Sequence, residues 1–316
     1  MKILANDGIS KLGIETLEAA GYEVLTTKVA QEQLASYINE NQVDGLLVRS
    51  ATQVRKELID ECPDLKLIGR GGVGMDNIDV EYAREKGLHV INTPAASSGS
   101  VAELVFAHLY GGVRFLYDAN RNMPLEGDSN FKKLKKSYAG GSELRGKTLG
   151  ILGFGRIGQA TARIALGSGM KVVFHDPFIE DATIELDFFD GQKISFHFQN
   201  MSKQDVLKTA DYLTLHVPAQ KDYIIGQPEF QIMKHAVGLV NAARGGVVDE
   251  KALVIALESG KVSFAGLDVF ESDPAPEIKI LMHPNISLSP HIGASTGDAQ
   301  DRIGLELAEQ IIDLLK

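Results

Sequence analysis

The sequence predicts an α/β protein of two doubly wound parallel-sheet domains. Three observations carry this. Short runs rich in Ile, Leu and Val alternate with amphipathic stretches through residues 1–98, and a second alternating series starts at Lys147. The second series opens on "GILGFGRIGQ" (150–159), where a strand-like run passes into a helix-like one through glycines spaced G-x-G-x-x-G. Alternating strand and helix signals mark βαβ units, and βαβ units build parallel sheets. A glycine fingerprint ordinarily stands near the start of its domain, so the long segment before it belongs to a separate one.

In the first series "KILAND", "YEVLTT", "DGLLVRS", "LKLIGRG" and "HVINTP" read as buried strands. Between them "SKLGIETLEAAG", "AQEQLASYINENQ", "RKELIDECP" and "IDVEYAREKG" carry helical spacing, two of them closing on Gly21 and Gly87. "SSGSVAELVFAHLYGGVRFLYDANR" then reads as one long helix, with Val101, Leu104, Val105, Leu109, Val113 and Leu116 at helical period. Ser98 or Ser100 is its candidate cap, and Glu103 stands at capping-box spacing from Ser100. A helix this apolar between two domains is a buried linker or a subunit interface. "SNFKKLKKSYAGG" predicts a polar, basic loop.

The second series continues through "MKVVFHD", "DYLTLHVP", "HAVGLVNAA", "VSFAGLDVF" and "NISLSPHIG", with helical segments between most of them. "TIELDFFDGQKISFHF" departs from it and predicts two strands around the Asp190-Gly191 turn, an insertion with no chemistry assigned. A final helix, "TGDAQDRIGLELAEQIIDLLK", follows.

Composition narrows the function classes. The 316 residues suit about two domains, and 44% hydrophobic with 23% charged residues suits a soluble globular protein. The net charge of −10 argues against a general nucleic-acid binder, yet a local Arg cluster can still hold a small anion. One cysteine, Cys62, allows no internal disulfide, so a reducing cytoplasm is expected. Its acidic neighbourhood "DECPDL" marks an inert thiol. No signal peptide and no membrane-spanning run is expected, since no apolar stretch approaches ~20 residues. No metal site is expected either.

The fingerprint sits in a full strand–turn–helix–strand context. Gly153 permits the tight turn, Gly155 lets a pyrophosphate approach the backbone, and Gly158 lets helix and strand pack closely. The helix N-terminus stabilises phosphate charge. Asp176 ends the next strand, 23 residues after Gly153, where an acid binds a ribose 2′-hydroxyl. A carboxylate there repels a 2′-phosphate, so NAD is favoured over NADP.

Three later segments put polar residues at strand ends, where open α/β sheets place ligands. "VNAARGGVVDE" gives Arg244, "GLDVFESDP" gives Asp268 and Asp273, and "SPHIGAST" gives His291. Taken singly, these are a turn, a solvated loop and a structural histidine. Beside a cofactor site they suit oxidation of a 2-hydroxy acid. Arg holds a carboxylate or keto oxygen, His takes the hydroxyl proton as hydride leaves, and a carboxylate favours the imidazolium.

"GILGFGRIG", "NAARGGVVDE", "GLDVFESDP" and "SPHIGAST", in this order and spacing, resemble the D-isomer-specific 2-hydroxyacid dehydrogenases over nearly the whole chain. The resemblance implies a Rossmann NAD domain (99–291) inserted into a flavodoxin-like substrate domain made of residues 1–98 and 292–316, with the active site between the two. It implies that Arg244 binds substrate and that His291 is the acid–base. It also implies NAD contacts at Arg156 and Ile157, at His216, Val217 and Pro218, at Ala242, Ala243 and Asp268, and at Gly293. Where the family usually has Glu before the proline of "ESDP", this chain has Asp273, one methylene shorter, which is taken as the partner of His291; Glu271, two residues upstream, is the less favoured alternative.

The substrate is read from the first domain. Arg49, Ser50 and Thr52 follow one strand, and Arg70 ends another before a glycine-rich turn. Two Arg at adjacent strand ends, with the N–H groups of Gly72 and Val73, suit an anion with more than one charged end. "VRSAT" and "GRGGVGMDNID" resemble the D-3-phosphoglycerate dehydrogenase branch of the family, which oxidises 3-phosphoglycerate in serine biosynthesis. Relative to that branch the chain reads as a short form without a serine-sensing domain. The alternatives are a glyoxylate or hydroxypyruvate reductase, a D-lactate dehydrogenase, or a NAD-sensing corepressor-like protein on the same fold. The resemblance also implies a homodimer built on the long helix, which would bring Lys135 or Lys136 towards a neighbour's phosphate; a solvated charge run is the simpler reading.

Overall fold

The computed structural model describes residues 1–315 and divides into two compact units: Met1–Ser100 with the chain from Ala294, and Val101–Gly293. These breaks lie two residues beyond those expected after 98 and 291.

The first unit runs β1 (Lys2–Ala5), α1 (Lys11–Ala19), β2 (Glu23–Leu25), α2 (Leu34–Asn41), β3 (Gly45–Val48), α3 (Lys56–Glu61), β4 (Leu67–Arg70), α4 (Val80–Glu85) and β5 (His89–Asn92). Its five strands are parallel in the order β2-β1-β3-β4-β5, the flavodoxin-like arrangement. Successive strand residues point to opposite faces, so Leu4, Leu46 and Ile68 join one core while Ile3, Leu47 and Leu67 join another.

The second of these cores is closed by the last helix, whose Ile303, Leu307, Ala308 and Ile311 pack against Ile3, Leu17 and Leu47. It meets α1 closely because glycines face each other: a Cβ on Gly13 would stand 2.9 Å from Cα of Gly304.

The second unit begins within α5 (Ser98–Val113), followed by α6 (Leu116–Glu126) and α7 (Phe131–Ser137). Then come β6 (Thr148–Leu152), α8 (Arg156–Gly167), β7 (Lys171–His175), β8 (Asp181–Asp187), β9 (Lys193–Gln199), α9 (Lys203–Thr209) and β10 (Tyr212–Leu215). The unit ends with α10 (Gln227–Ile232), β11 (Val237–Asn241), α11 (Glu250–Glu258), β12 (Val262–Leu267), α12 (Ile278–Leu281) and β13 (Ile286–Leu288); α13 (Gly297–Leu314) is the closing helix of the first unit. Six parallel strands lie in the order β13-β12-β11-β10-β6-β7. The order reverses between β6 and β10, and ligands bind at such a switch point.

Three local expectations need correction. The long helix breaks at Phe115, whose φ is +54°, so α5 and α6 are separate and Leu116 is exposed. Ser100 lies inside α5 rather than capping it, and its hydroxyl bonds that of Thr296 at 2.9 Å. The basic "loop" forms α7; only Leu134 is buried there, so no periodic pattern shows, and Lys135 and Lys136 are exposed. The β8–β9 hairpin forms as expected, its loop closed by the Phe188 N–H to Gln192 carbonyl bond, with Gly191 at φ +84°. Among the described residues no helix is long and apolar enough to cross a membrane.

Candidate active site

The fingerprint turn is shaped by what its glycines lack. Gly153 has φ +87°, and a Cβ there would lie 2.4 Å from the carbonyl oxygen of His216, which closes over the turn from the end of β10. A Cβ on Gly158 would meet the Gly153 carbonyl at 2.3 Å, so α8 can seat against β6 only with glycine there. Gly155 differs: no heavy atom lies within 4 Å of its Cβ position. It is the N-cap of α8 and brings no side chain to the first-turn N–H groups. That is an open cradle with a helix N-terminus behind it, a fit for a pyrophosphate.

Asp176 is buried at the end of β7. Its Oδ2 accepts the Phe154 N–H at 2.7 Å and its Oδ1 accepts the Phe178 N–H at 2.9 Å. It therefore also ties the fingerprint turn to the next strand, while carboxylate lone pairs are left for a ribose. The His216 imidazole is buried; its Nε2 meets the hydroxyls of Thr161 and Thr214 at 3.2 Å, and burial drives its pKa down to about 3. This ring is a packing element, and what His216 presents to the turn is its carbonyl.

After β11, Ala242 and Ala243 are buried and Arg244 is half-buried. Asn241 shapes this turn: its Oδ1 accepts the Ala243 N–H at 3.1 Å and its Nδ2 donates to the Arg244 carbonyl at 3.0 Å. Gly245 is needed there because a Cβ would run into the Phe270 carbonyl, 1.9 Å away.

His291 stands after β13 with φ +56°, in the left-handed region that non-glycine residues rarely adopt. Its Nδ1 lies 3.1 Å from Oδ2 of Asp273, both side chains nearly half exposed at 49% and 43%. The shorter carboxylate thus reaches the ring, and Glu271 is engaged elsewhere, with the backbone N–H of Glu250 and the hydroxyl of Tyr223. Asp268, expected as a cofactor contact, is 1% exposed. Its carboxylate accepts the Ser289 hydroxyl at 2.6 Å and the Ile292 and Gly293 N–H groups at 2.9 Å, so here it anchors the loop that carries His291. Arg156 and Ile157 open α8 after β6, and Val217 and Pro218 follow β10; none of the four is fully buried.

In the first unit Arg49 and Arg70 do stand at adjacent strand ends, since Val48 of β3 pairs with Arg70 of β4. Asp7 fixes the loop after β3 by accepting the N–H groups of Arg49 and Thr52, at 2.7 and 3.1 Å. A cavity of about 410 Å³ beside it is lined by Asp7, Lys28, Arg49 and Ser50, among others. The Gly72 N–H, expected to meet an anion, instead donates to the Arg70 carbonyl at 2.9 Å, because φ +147° folds the turn back on the strand end. Val73 is held through its carbonyl, which accepts from Asn92 Nδ2 at 2.7 Å.

Comparison with known proteins identifies a family. The sequence model described as "D-isomer specific 2-hydroxyacid dehydrogenase, NAD binding domain" matches residues 106–293, more than half the chain. The chain belongs to the D-isomer-specific 2-hydroxyacid dehydrogenases. It is 40% identical to the D-3-phosphoglycerate dehydrogenase of Methanocaldococcus jannaschii over all of this chain and 58% of that protein, so it spans a little over half the length of that relative. It is also 40% identical to the hydroxypyruvate reductase of Thermotoga maritima, over 98% of this chain and 97% of that protein. Among solved structures, a glyoxylate reductase from Paecilomyes thermophila superposes with a TM-score of 0.81 at 29% identity, covering 100% of this chain and 96% of that one. The matched residues lie within the second unit, which is thus the one that corresponds to the family's NAD-binding domain.

Sequence reasoning missed two parts of the site. Buried Glu250 braces the loop after β12 by accepting the Glu271 N–H at 2.8 Å. His108 on α5 is buried between the hydroxyls of Ser287 and Ser289, 2.9 Å from each. Burial lowers its pKa, against a smaller opposing pull from Asp268. The available signal was a histidine on the same apolar stripe as Val101, Val105 and Leu109.

Proposed function

We propose that this chain oxidises D-3-phosphoglycerate to 3-phosphohydroxypyruvate with NAD, the first step of phosphorylated serine biosynthesis. The observation that carries the reading is the pair of arginines, Arg49 and Arg70, at neighbouring strand ends, with Arg49 lining a cavity together with Lys28 and Ser50. A substrate with a carboxylate and a phosphate needs two cationic anchors; lactate and glyoxylate need one. Arg49 lines that cavity, and its backbone N–H is held by Asp7.

In this reading Arg244 orients the carboxylate and the oxygen being oxidised. His291 takes the hydroxyl proton, and Asp273 stabilises the resulting imidazolium. NAD, when bound at the fingerprint, accepts the hydride. The family's dimer, with Lys135 and Lys136 of α7 near a neighbour's substrate, and a cytoplasmic location belong to the same proposal.

A second reading has its own support: the relative covered almost end to end is a hydroxypyruvate reductase. A substrate panel separates them. Phosphoglycerate oxidation with NAD should exceed that of D-lactate and D-glycerate, and Arg49→Ala should raise KM for phosphoglycerate selectively. Fast glyoxylate or hydroxypyruvate reduction with NADH, and no phosphoglycerate activity, would establish the reductase instead. NAD binding without turnover of any hydroxy acid would favour a sensing protein.

A further inference from the structure

One buried titratable side chain has no part in the chemistry described above. His108 lies on α5, far in sequence from the residues it touches, yet its contacts lead to the loop of His291. The direction of each hydrogen bond along the way follows from which groups can donate. The Asp268 carboxylate can only accept, so the Ser289 hydroxyl proton points to its Oδ1 across 2.6 Å. The Ser289 oxygen must then accept from His108, which places the ring proton on Nε2, 2.9 Å away. Nδ1 of the neutral ring is left to accept the Ser287 hydroxyl at 2.9 Å. Donation runs one way, from Ser287 to His108 to Ser289 to Asp268, and burial favours the neutral ring this order requires.

At the far end Asp268 accepts the N–H groups of Ile292 and Gly293, the two residues that follow His291. His291 itself holds φ +56°, a conformation that persists only where its surroundings impose it. We propose that His108 and Ser289 are positioning residues: they fix the Asp268 carboxylate in one orientation, and through it the left-handed turn that presents the His291 ring. Both are buried, and they act on His291 only through Asp268. The inference rests on His291 being the acid–base residue.

The test compares Ser289→Ala, His108→Leu, the double variant and His291→Ala, by steady-state kinetics, NAD titration and thermal melts. Ser289→Ala, a small change that keeps the fold, and His108→Leu should each lower kcat about tenfold, the scale of a slightly misplaced catalytic group. KM for NAD should stay within about twofold, because the fingerprint turn is untouched. The double variant should lose no more than Ser289→Ala alone, since both act through one hydroxyl. Wild-type kcat in both single variants, with His291→Ala at least about a hundredfold down, overturns the proposal and leaves the acid–base reading standing. Losses that multiply in the double variant, or a rise in the NAD KM that matches the fall in kcat, also overturn it. A wild-type rate in His291→Ala overturns the acid–base reading itself.

Discussion

Glu250 and Glu271 exchange main-chain hydrogen bonds, each carboxylate accepting the other residue's backbone N–H at 2.8 Å. The exchange ties the first turn of α11 to the loop after β12, and burial raises the pKa of Glu250. It also separates the roles of two acids two residues apart in sequence. Glu271 braces the loop, and Asp273, at its exposed end, meets His291.

Asp273→Asn should therefore lower kcat/KM, because the imidazolium formed when His291 takes the proton loses its anionic neighbour. The pair is nearly half exposed, so the loss should be at most about tenfold. Glu271→Gln should leave kcat/KM in place and lower the melting temperature. The opposite pattern across the two variants would make Glu271 the partner.

The fingerprint glycines should divide into structural and ligand-facing positions. Gly153→Ala meets both a positive φ and a carbonyl at 2.4 Å, and should destabilise the fold by about 2 kcal/mol or more. Gly155→Ala enters open space, so its melt should match wild type while its affinity for NAD falls about tenfold or more, the methyl standing where the pyrophosphate approaches. Chemical denaturation and cofactor titration of the two variants check this. Equal NAD affinity in Gly155→Ala and wild type would place the phosphates elsewhere.

Asp176→Ala should weaken NAD binding and relax discrimination against NADP, with little change in kcat at saturating NAD. It should also cost about 1–3 kcal/mol of stability, because the Phe154 N–H loses its acceptor at a buried site. Titration with both cofactors and urea melts measure the two effects separately. A loss confined to kcat contradicts the assignment.

Stability should fall with acid earlier than carboxylate titration alone would produce. His108 and His216 are held neutral by burial, with folded-state pKa values below the usual 6.5, about 3 for His216. Well above pH 6.5 neither state binds the proton, so nothing is lost. Below it the unfolded chain protonates while the folded one resists, at up to about 1.4 kcal/mol per pH unit for each site. Urea melts between pH 7.5 and about 5 should show this slope, and His216→Asn should flatten it. A slope unchanged in that variant would mean the ring is protonated in the fold.

Most of the architecture was legible because it is written in local pattern. Strands such as "GLLV" and "LIGR" are apolar on both faces, as parallel strands covered by helices must be. Elements that depend on one residue's backbone, such as the break at Phe115, leave no periodic trace, and α7 buries too little to show one. The site divides in the same way. Arg244, Asp273 and His291 stand out by type and place at strand ends. The work of Asp268 and His108 lies in hydrogen bonds that reach across 25 and 181 residues of sequence, and no local spacing encodes those.

The packing of α13 against α1 and β1 also fixes an order of events at the ribosome. Residues 1–100 emerge first, but the face carrying Ile3, Leu17 and Leu47 stays uncovered until Ile303, Leu307 and Ile311 have been synthesised. The unit spanning residues 101–293 is complete before that moment. Of the two units, the one whose synthesis starts first is thus the last to finish folding, and during translation its uncovered sheet face is the surface a chaperone would have to guard.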